Sequence, residues 1–317
     1  MHELNEDWEA NGHPSHHTLE DYEGGVARWC PGCGDLAVLT AVQRICRDEQ
    51  LPPEKVVAVS GIGCASRFPH YMATYGFHGL HGRALPVACG VKARRPDLDV
   101  WVATGDGDCC SIGAGHWIHA IRYNMNITVM LFDNQIYGLT KKQSSPTSPI
   151  GLTTNTHPEG IFLPPLNPIQ ATLGFTNVSF VAQTVDWNPL HLHATLAAAH
   201  RHRGLSFVRI LQRCPTYTAN LYDELQKDPT KVLMLTHENG IGGDPALGRV
   251  FTNQGVHDPS DLRAARILAE QIDPLPIGLF FQDESCPIYD DFTNEGLAMP
   301  IEARMEALNR ELDRFLV

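Results

Sequence analysis

No stretch of this chain approaches the roughly 20 consecutive apolar residues that a bilayer-spanning helix requires, and no run of lysine and arginine interrupts its acidic balance. The 24 Lys and Arg residues against 36 Asp and Glu leave a formal charge of −12. That argues against a polyanion-binding face, because nucleic acid is ordinarily met by a basic stripe. The opening residues 1–23 are polar and acidic, with His13, His16 and His17 among small side chains, and they lack the basic-then-apolar layout of a secretory signal. A flexible leader over residues 1–27 and a cytoplasmic location are expected. Internal repeats and low-complexity tracts are missing too. A single C-x2-C pair with no second one cannot make a standard zinc ribbon.

What is present suits a globular chain: 43% of the 317 residues are hydrophobic and 19% charged, enough for one large α/β domain with an extension. Trp29-Cys30-Pro31-Gly32-Cys33-Gly34 reads as a tight turn. Residues 35–49 then place Leu36, Leu39, Val42, Ile45 and Cys46 at helical spacing, and Pro52-Pro53 stops the helix. Apolar runs at 56–60, 98–104, 127–132, 178–181 and 205–211 read as buried strands, with helices over 111–125 and 189–202. Residues 66–96, rich in Gly and His, read as a surface loop or the lining of a site. Strand and helix alternate with short joints, which predicts parallel neighbours. The fold class expected over 28–230 is therefore α/β, with a doubly wound, mostly parallel sheet. Residues 231–317 read as a C-terminal extension, loop-like over 240–248 and helical over 301–315.

Asp106 closes one predicted strand and Asn134 the next, 28 residues later. A right-handed crossover brings both to the same sheet edge, where open α/β sheets bind ligands. A carboxylate and a carboxamide there are hard oxygen ligands for Mg²⁺ or Ca²⁺. Gly105 and Gly107 allow close approach of the backbone to phosphate, and the helix beginning near Cys110 turns free N–H groups toward an anion. A solvated strand-end Asp and a turn Asn would look the same taken singly. The nine cysteines, an odd number in an expected reducing compartment, argue against a disulfide framework. Cys30 and Cys33 suit zinc or an iron–sulfur cluster. Cys64 and Cys214 each follow a predicted strand and so stand at the same edge as Asp106 and Asn134.

These segments carry a resemblance. Gly-Asp-Gly followed by Asn a little under thirty residues on resembles the thiamine diphosphate motif, which implies Mg²⁺ held by Asp106, the Asn134 side chain and the Ile136 carbonyl. Trp-Cys-Pro-Gly-Cys-Gly, Gly-Ile-Gly-Cys, Gly-Phe-His-Gly-Leu-His-Gly-Arg-Ala, Gly-Asp-Gly-Asp, Asp-Asn-Gln-Ile-Tyr-Gly-Leu-Thr and Cys-Pro-Thr occur in that order between Arg28 and Cys214. Together they resemble the β subunit of 2-oxoacid:ferredoxin oxidoreductases. The resemblance implies one [4Fe–4S] cluster on Cys30, Cys33, Cys64 and Cys214, the other five cysteines being packing residues. It also implies thiamine diphosphate near His81, Gly105, Gly107, Asp108, Gly138 and Leu139. His78 and Arg83 are further candidates for the diphosphate side, or plain loop residues. Arg67 and Lys141 are the candidates for the substrate carboxylates, although Lys141-Lys142 also reads as a solvated loop pair.

The activity implied is oxidative decarboxylation of a 2-oxoacid, with the acyl group passing to coenzyme A and electrons leaving through the cluster to ferredoxin. A larger α subunit, in an (αβ)₂ assembly, is expected to supply the activating Glu. No candidate for that Glu is found in this chain. Several cations and the wording of the motifs favour 2-oxoglutarate, with pyruvate or a branched-chain oxoacid as alternatives. Two departures from the family pattern are Gly113-Ala114-Gly115-His116, where relatives often have Gly-Gly-Asn-His, and Arg67 where many have Lys. Other readings are a non-redox thiamine-dependent decarboxylase, with incidental cysteines, and a zinc-binding module.

Overall fold

In the computed structural model, which describes residues 16–241, 245–294 and 300–314, the first helix shows why the chain folds as it does. In α1 (Asp35–Asp48), Val38, Val42, Ile45 and Cys46 fall on one face and are buried. The helix ends at Asp48, and Gln50 two residues on takes a left-handed φ of 52°, followed by Pro52 and Pro53. Truncating Ile45, which is fully buried, to Ala would cost about 2–5 kcal/mol from lost transfer energy and the cavity left behind.

The strands are β1 (Val56–Ser60), β2 (Tyr75–His78), β3 (Asp99–Gly105), β4 (Thr128–Asp133), β5 (Phe180–Val185), β6 (Ser206–Leu211), β7 (Val232–Thr236), β8 (Gln254–Val256) and β9 (Leu275–Gln282). They form one sheet in the order β2-β1-β3-β4-β6-β5-β9-β7-β8. Every pairing is parallel except β5 with β9. Strands β1, β4, β5 and β6 are buried along their whole length, as expected when helices cover both faces. The two-residue alternation assigns each side chain to a face. Ala58, Met130 and Val208 pack against α1 and α5 (Pro189–Arg201). Val59, Val129 and Phe207 pack against α2 (Ala84–Arg94), α3 (Ala114–Tyr123) and α4 (Pro168–Leu173). The expected doubly wound, mostly parallel α/β architecture is thus present, with a C-terminal extension. Among the described residues no helix is long and apolar enough to cross a membrane.

Three expectations need correction. Of the two readings for residues 66–96, the loop fails, since they hold a 3₁₀ turn (Ala65–Tyr71), the edge strand β2 and the helix α2, whereas Arg67 and His81 do line cavities. Edge exposure along β2 and the small residues of α2 left little periodicity to read. The helix expected over 111–125 is split into a π segment, Asp108–Ile112, and α3, which stops at left-handed Asn124. In the extension, the stretch expected to be loop-like over 240–248 holds the start of a helix at Pro245, and β7, β8 and β9 extend the main sheet. Pro276 and Gly278 inside β9 resemble strand breakers; Gly278 has φ 119° and faces the Leu235 backbone. α6 (Asp223–Lys227), α7 (Pro245–Val250), α8 (Leu262–Glu270), α9 (Tyr289–Asn294) and α10 (Ile301–Asp313) complete the extension. Part of the expected loop, 242–244, and the end of the expected last helix at Phe315 lie outside the described residues. So do residues 1–15 of the expected leader. Its remainder is anchored, since Tyr22 is fully buried and donates to the Leu51 carbonyl.

Candidate active site

The carboxyl ends of β1, β3, β4 and β6 meet at one edge of the sheet. A cavity of about 300 Å³ opens there, bounded by the turns after β1, β3 and β4. Gly105, Asp106, Gly107 and Asp108 form one wall, and Asn134, Ile136, Gly138 and Leu139 another. His81 closes a third side. Of the residues that sequence reasoning assigned to the cofactor, all but the further candidates His78 and Arg83 are on this one surface.

Asp106 is almost completely buried. Its carboxylate accepts from the Thr147 hydroxyl at 2.7 Å, and burial, followed by the neighbouring Asp133, pushes its pKa up. A buried carboxylate served by neutral donors has room for a cation, and its oxygen chemistry suits a hard one. Asn134 folds its Oδ1 back onto the Ile136 amide at 3.1 Å, and Gln135 between them takes a left-handed φ of 58°. Gly107 fits only without a side chain, because a Cβ there would lie 2.1 Å from the Tyr137 ring.

Asp108 is used differently from its neighbour. Its Oδ1 accepts from the Ile62 amide (3.1 Å), the Gly82 amide (2.6 Å) and His81 Nδ1 (2.6 Å). Its Oδ2 accepts from Thr104 at 2.7 Å. One buried carboxylate thus binds the turn after β1 and the turn after β2 to the turn after β3. A His whose Nδ1 donates to a carboxylate has its tautomer set by that bond. His78 and Arg83 lie elsewhere. His78 is hydrogen-bonded to the Ser66 carbonyl, and Arg83 to the Gly82 carbonyl.

A second cavity of about 260 Å³ adjoins the first, sharing Cys64, Asn134, Gly138 and Leu139 with it. Cys30, Cys33, Cys64 and Cys214 all line it, and so do Arg67 and Lys141. Backbone ties draw these distant segments together: Trp29 Nε1 donates to the Cys64 carbonyl at 2.7 Å, and the Gly34 amide to the Arg213 carbonyl at 3.1 Å. Gly138 stands between two of the sulfurs, since a Cβ there would lie 3.4 Å from Cys64 Sγ and 4.0 Å from Cys214 Sγ. Burial pushes the Cys33 thiol well up and the Cys64 thiol up to about 12. Lys141 and Lys142 both have φ above 70°, a backbone conformation that side chains other than glycine adopt at a cost of about 1 kcal/mol or more each. Arg67 donates to the Tyr71 hydroxyl at 2.7 Å. Among the described residues, no group of three or more His, Cys, Asp or Glu is arranged to hold a single metal ion. Of the other cysteines, Cys46, Cys109 and Cys110 are buried in the hydrophobic layers, Cys89 packs against one of them, and Cys286 bonds the Val178 carbonyl.

Sequence reasoning missed Thr147, Tyr137 and the Asp133–Arg209 pair. An arginine within the otherwise apolar run Phe207-Val208-Arg209-Ile210 was the available signal, because a charge on a central strand requires a partner.

The match to known proteins agrees with this geometry. Residues 53–210 match the family of thiamine pyrophosphate enzymes, C-terminal TPP binding domain. The chain is 40% identical to the 2-oxoglutarate oxidoreductase subunit KorB of Mycobacterium tuberculosis, over 83% of this chain and 77% of that one. It is 37% identical to the 2-oxoacid:ferredoxin oxidoreductase subunit beta of Saccharolobus solfataricus, over 83% and 84%. A solved structure of 2-oxoglutarate:ferredoxin oxidoreductase from Magnetococcus marinus, with 2-oxoglutarate, coenzyme A and succinyl-CoA bound, superposes with a TM-score of 0.77. It has 36% identity and covers 93% of this chain and 96% of that one. The chain is an enzyme subunit and belongs to the family of 2-oxoacid:ferredoxin oxidoreductase β subunits.

Proposed function

We propose that this chain, paired with a larger α subunit in an (αβ)₂ assembly, oxidatively decarboxylates 2-oxoglutarate, passes the acyl group to coenzyme A and delivers the electrons to ferredoxin in the cytoplasm. The observation that carries the reading is the pair of adjoining cavities, one lined by Asp106 and Asn134 and the other by four cysteines, with Cys64, Asn134, Gly138 and Leu139 common to both.

The residues fit the groups that the family implies. Asp106, the Asn134 side chain and the Ile136 carbonyl would hold Mg²⁺ against the diphosphate. Gly105, Gly107, Gly138 and Leu139 would let thiamine diphosphate sit close to the backbone, with His81 kept in place by Asp108. Cys30, Cys33, Cys64 and Cys214 would hold one [4Fe–4S] cluster, whose ligands stand farther apart than those of a single ion. When bound, thiamine diphosphate supplies the carbon nucleophile and electron sink, and the cluster a one-electron outlet.

The chain's own contribution is positioning and exclusion of water. Ile62, Phe132, Ile136 and Leu139 make the first cavity largely apolar, which strengthens every charge interaction within it. Arg67 and Lys141 line the second cavity, which adjoins the first, and would pair with substrate carboxylates. Two cations suit a dicarboxylate better than pyruvate.

The test is iron and acid-labile sulfide analysis of the anaerobically purified αβ complex, followed by oxoacid-dependent viologen reduction. About four of each per chain, lost in Cys30→Ala and Cys214→Ala, with kcat/KM highest for 2-oxoglutarate, is expected. Full thiamine occupancy without iron would replace this reading with a non-redox decarboxylase.

A further inference from the structure

Asp133 and Asn134 are adjacent in sequence but serve different surroundings. Asn134 lines the cofactor cavity, while Asp133 is fully buried. Strand register explains where Asp133 goes. Leu131 is opposite Arg209, and Arg209 is opposite Gln183, so Asp133, two residues on from Leu131, shares the face that carries Arg209. Asp133 Oδ2 accepts from Arg209 Nε at 2.7 Å and Nη2 at 2.6 Å, and Arg209 Nη1 donates to Gln183 at 3.0 Å. That ion pair is neutral overall and held from both sides.

The other oxygen of Asp133 lies 2.8 Å from Thr147 Oγ1, and the same hydroxyl lies 2.7 Å from Asp106 Oδ2. Thr147 is 1% exposed. Its turn, Ser145-Pro146-Thr147-Ser148, is pinned by Ser148 Oγ, which accepts from the Ser145 amide and donates to the Gln135 carbonyl. The hydroxyl has one proton and donates to one of these carboxylates at a time, so it sits as a shared contact between the anchored Asp133–Arg209 pair and Asp106 Oδ2.

We infer that Thr147, held by Asp133 and Arg209, is a positioning residue for Asp106: it fixes the Oδ2 edge of that carboxylate and thereby sets the affinity of the site for its divalent cation. The inference rests on the reading of Asp106 as a cation ligand. Ser145 and the Gly107 amide also serve the Asp106 carboxylate, and Thr147 is the donor that ties it to the neighbouring strands; a carboxylate that loses this outer hydrogen bond must be ordered more fully when the cation binds. Loss of such an outer partner ordinarily weakens metal binding about 10–100-fold.

The experiment strips the αβ complex of thiamine diphosphate and divalent cation, restores thiamine diphosphate at a fixed concentration, and titrates Mn²⁺ while counting the free ion by its paramagnetic resonance. Thr147→Val is expected to weaken Mn²⁺ binding about 10–100-fold, and Thr147→Ser, which keeps the hydroxyl, to stay within about threefold of wild type. Should Thr147→Val fail to assemble, Thr147→Ala is compared with Thr147→Ser in the same titration. Wild-type Mn²⁺ affinity in Thr147→Val or Thr147→Ala, with affinity lost in Asp106→Asn, overturns the inference and leaves the site assignment standing. Wild-type affinity in Asp106→Asn overturns the site assignment itself.

Discussion

Replacing Asp108 separates its role as an anchor from the ligand role proposed for Asp106. The Asp108 side chain is 1% exposed and accepts four hydrogen bonds, from Thr104, Ile62, His81 and Gly82. A hydrogen bond to a charged group contributes about 1.5–3 kcal/mol, and donors left buried without a partner add to the cost. Because the four share one acceptor, their contributions do not sum fully, and Asp108→Ala should lose about 4–6 kcal/mol. For 317 residues at about 2 cal/mol/K each, the unfolding entropy is about 0.7 kcal/mol/K, so the melting temperature should fall by about 6–9 °C. Asp108→Asn keeps the shape and one oxygen, while its amide can donate to the Thr104 hydroxyl, so it should lose only about 2 kcal/mol. Scanning calorimetry of the two variants measures both shifts. If Asp108→Ala melts within about 2 °C of wild type, the four bonds are not what joins these turns, and the reasoning fails.

Other perturbations test the buried charges. Arg209→Met leaves Asp133 buried without its cation and should cost about 3–5 kcal/mol in chemical denaturation; Arg209→Met combined with Asp133→Leu should recover much of that, because no charge is then left unpaired. Equal losses in the single and double variants would contradict this account. Burial holds His191 and His202 down at about 4. Below pH 6.5 the unfolded chain takes up protons that the folded chain refuses until about pH 4. Their contribution is therefore fully present above pH 6.5 and is lost as pH falls toward 4, by up to about 3 kcal/mol each. Denaturation midpoints from pH 7 to pH 5 should fall less steeply in a His191→Leu, His202→Gln variant, and an unchanged slope would refute the assignment.

Much of the site was legible because its chemistry is local in sequence. Gly-Asp-Gly-Asp, Asp-Asn, Cys64 and Cys214 each follow a strand that an apolar run makes visible, and parallel topology brings all such strand ends to one edge, while Cys30 and Cys33 sit on a Gly/Pro turn ahead of the first helix. Residues 66–96 and the extension were harder to read. The short β2 is exposed at an edge, and β9 contains Pro276 and Gly278, so neither has the uninterrupted apolar signal of β4 over residues 129–132.

What the sequence by itself determined is the set of turns that line the two cavities and the alternation that aligns them, since periodicity and chain order are properties of the linear chain. Only the tertiary structure decided how the two aspartates of Gly-Asp-Gly-Asp divide their roles: Asp106 faces a cavity, whereas Asp108 is consumed by four protein donors. It also decided that Arg67 and Lys141 belong to the cysteine-lined cavity, and that Thr147 joins Asp106 to an ion pair on the neighbouring strands. Those assignments depend on which donors meet which oxygens across segments up to 76 residues apart, as between Asp133 and Arg209, and packing in three dimensions makes that choice.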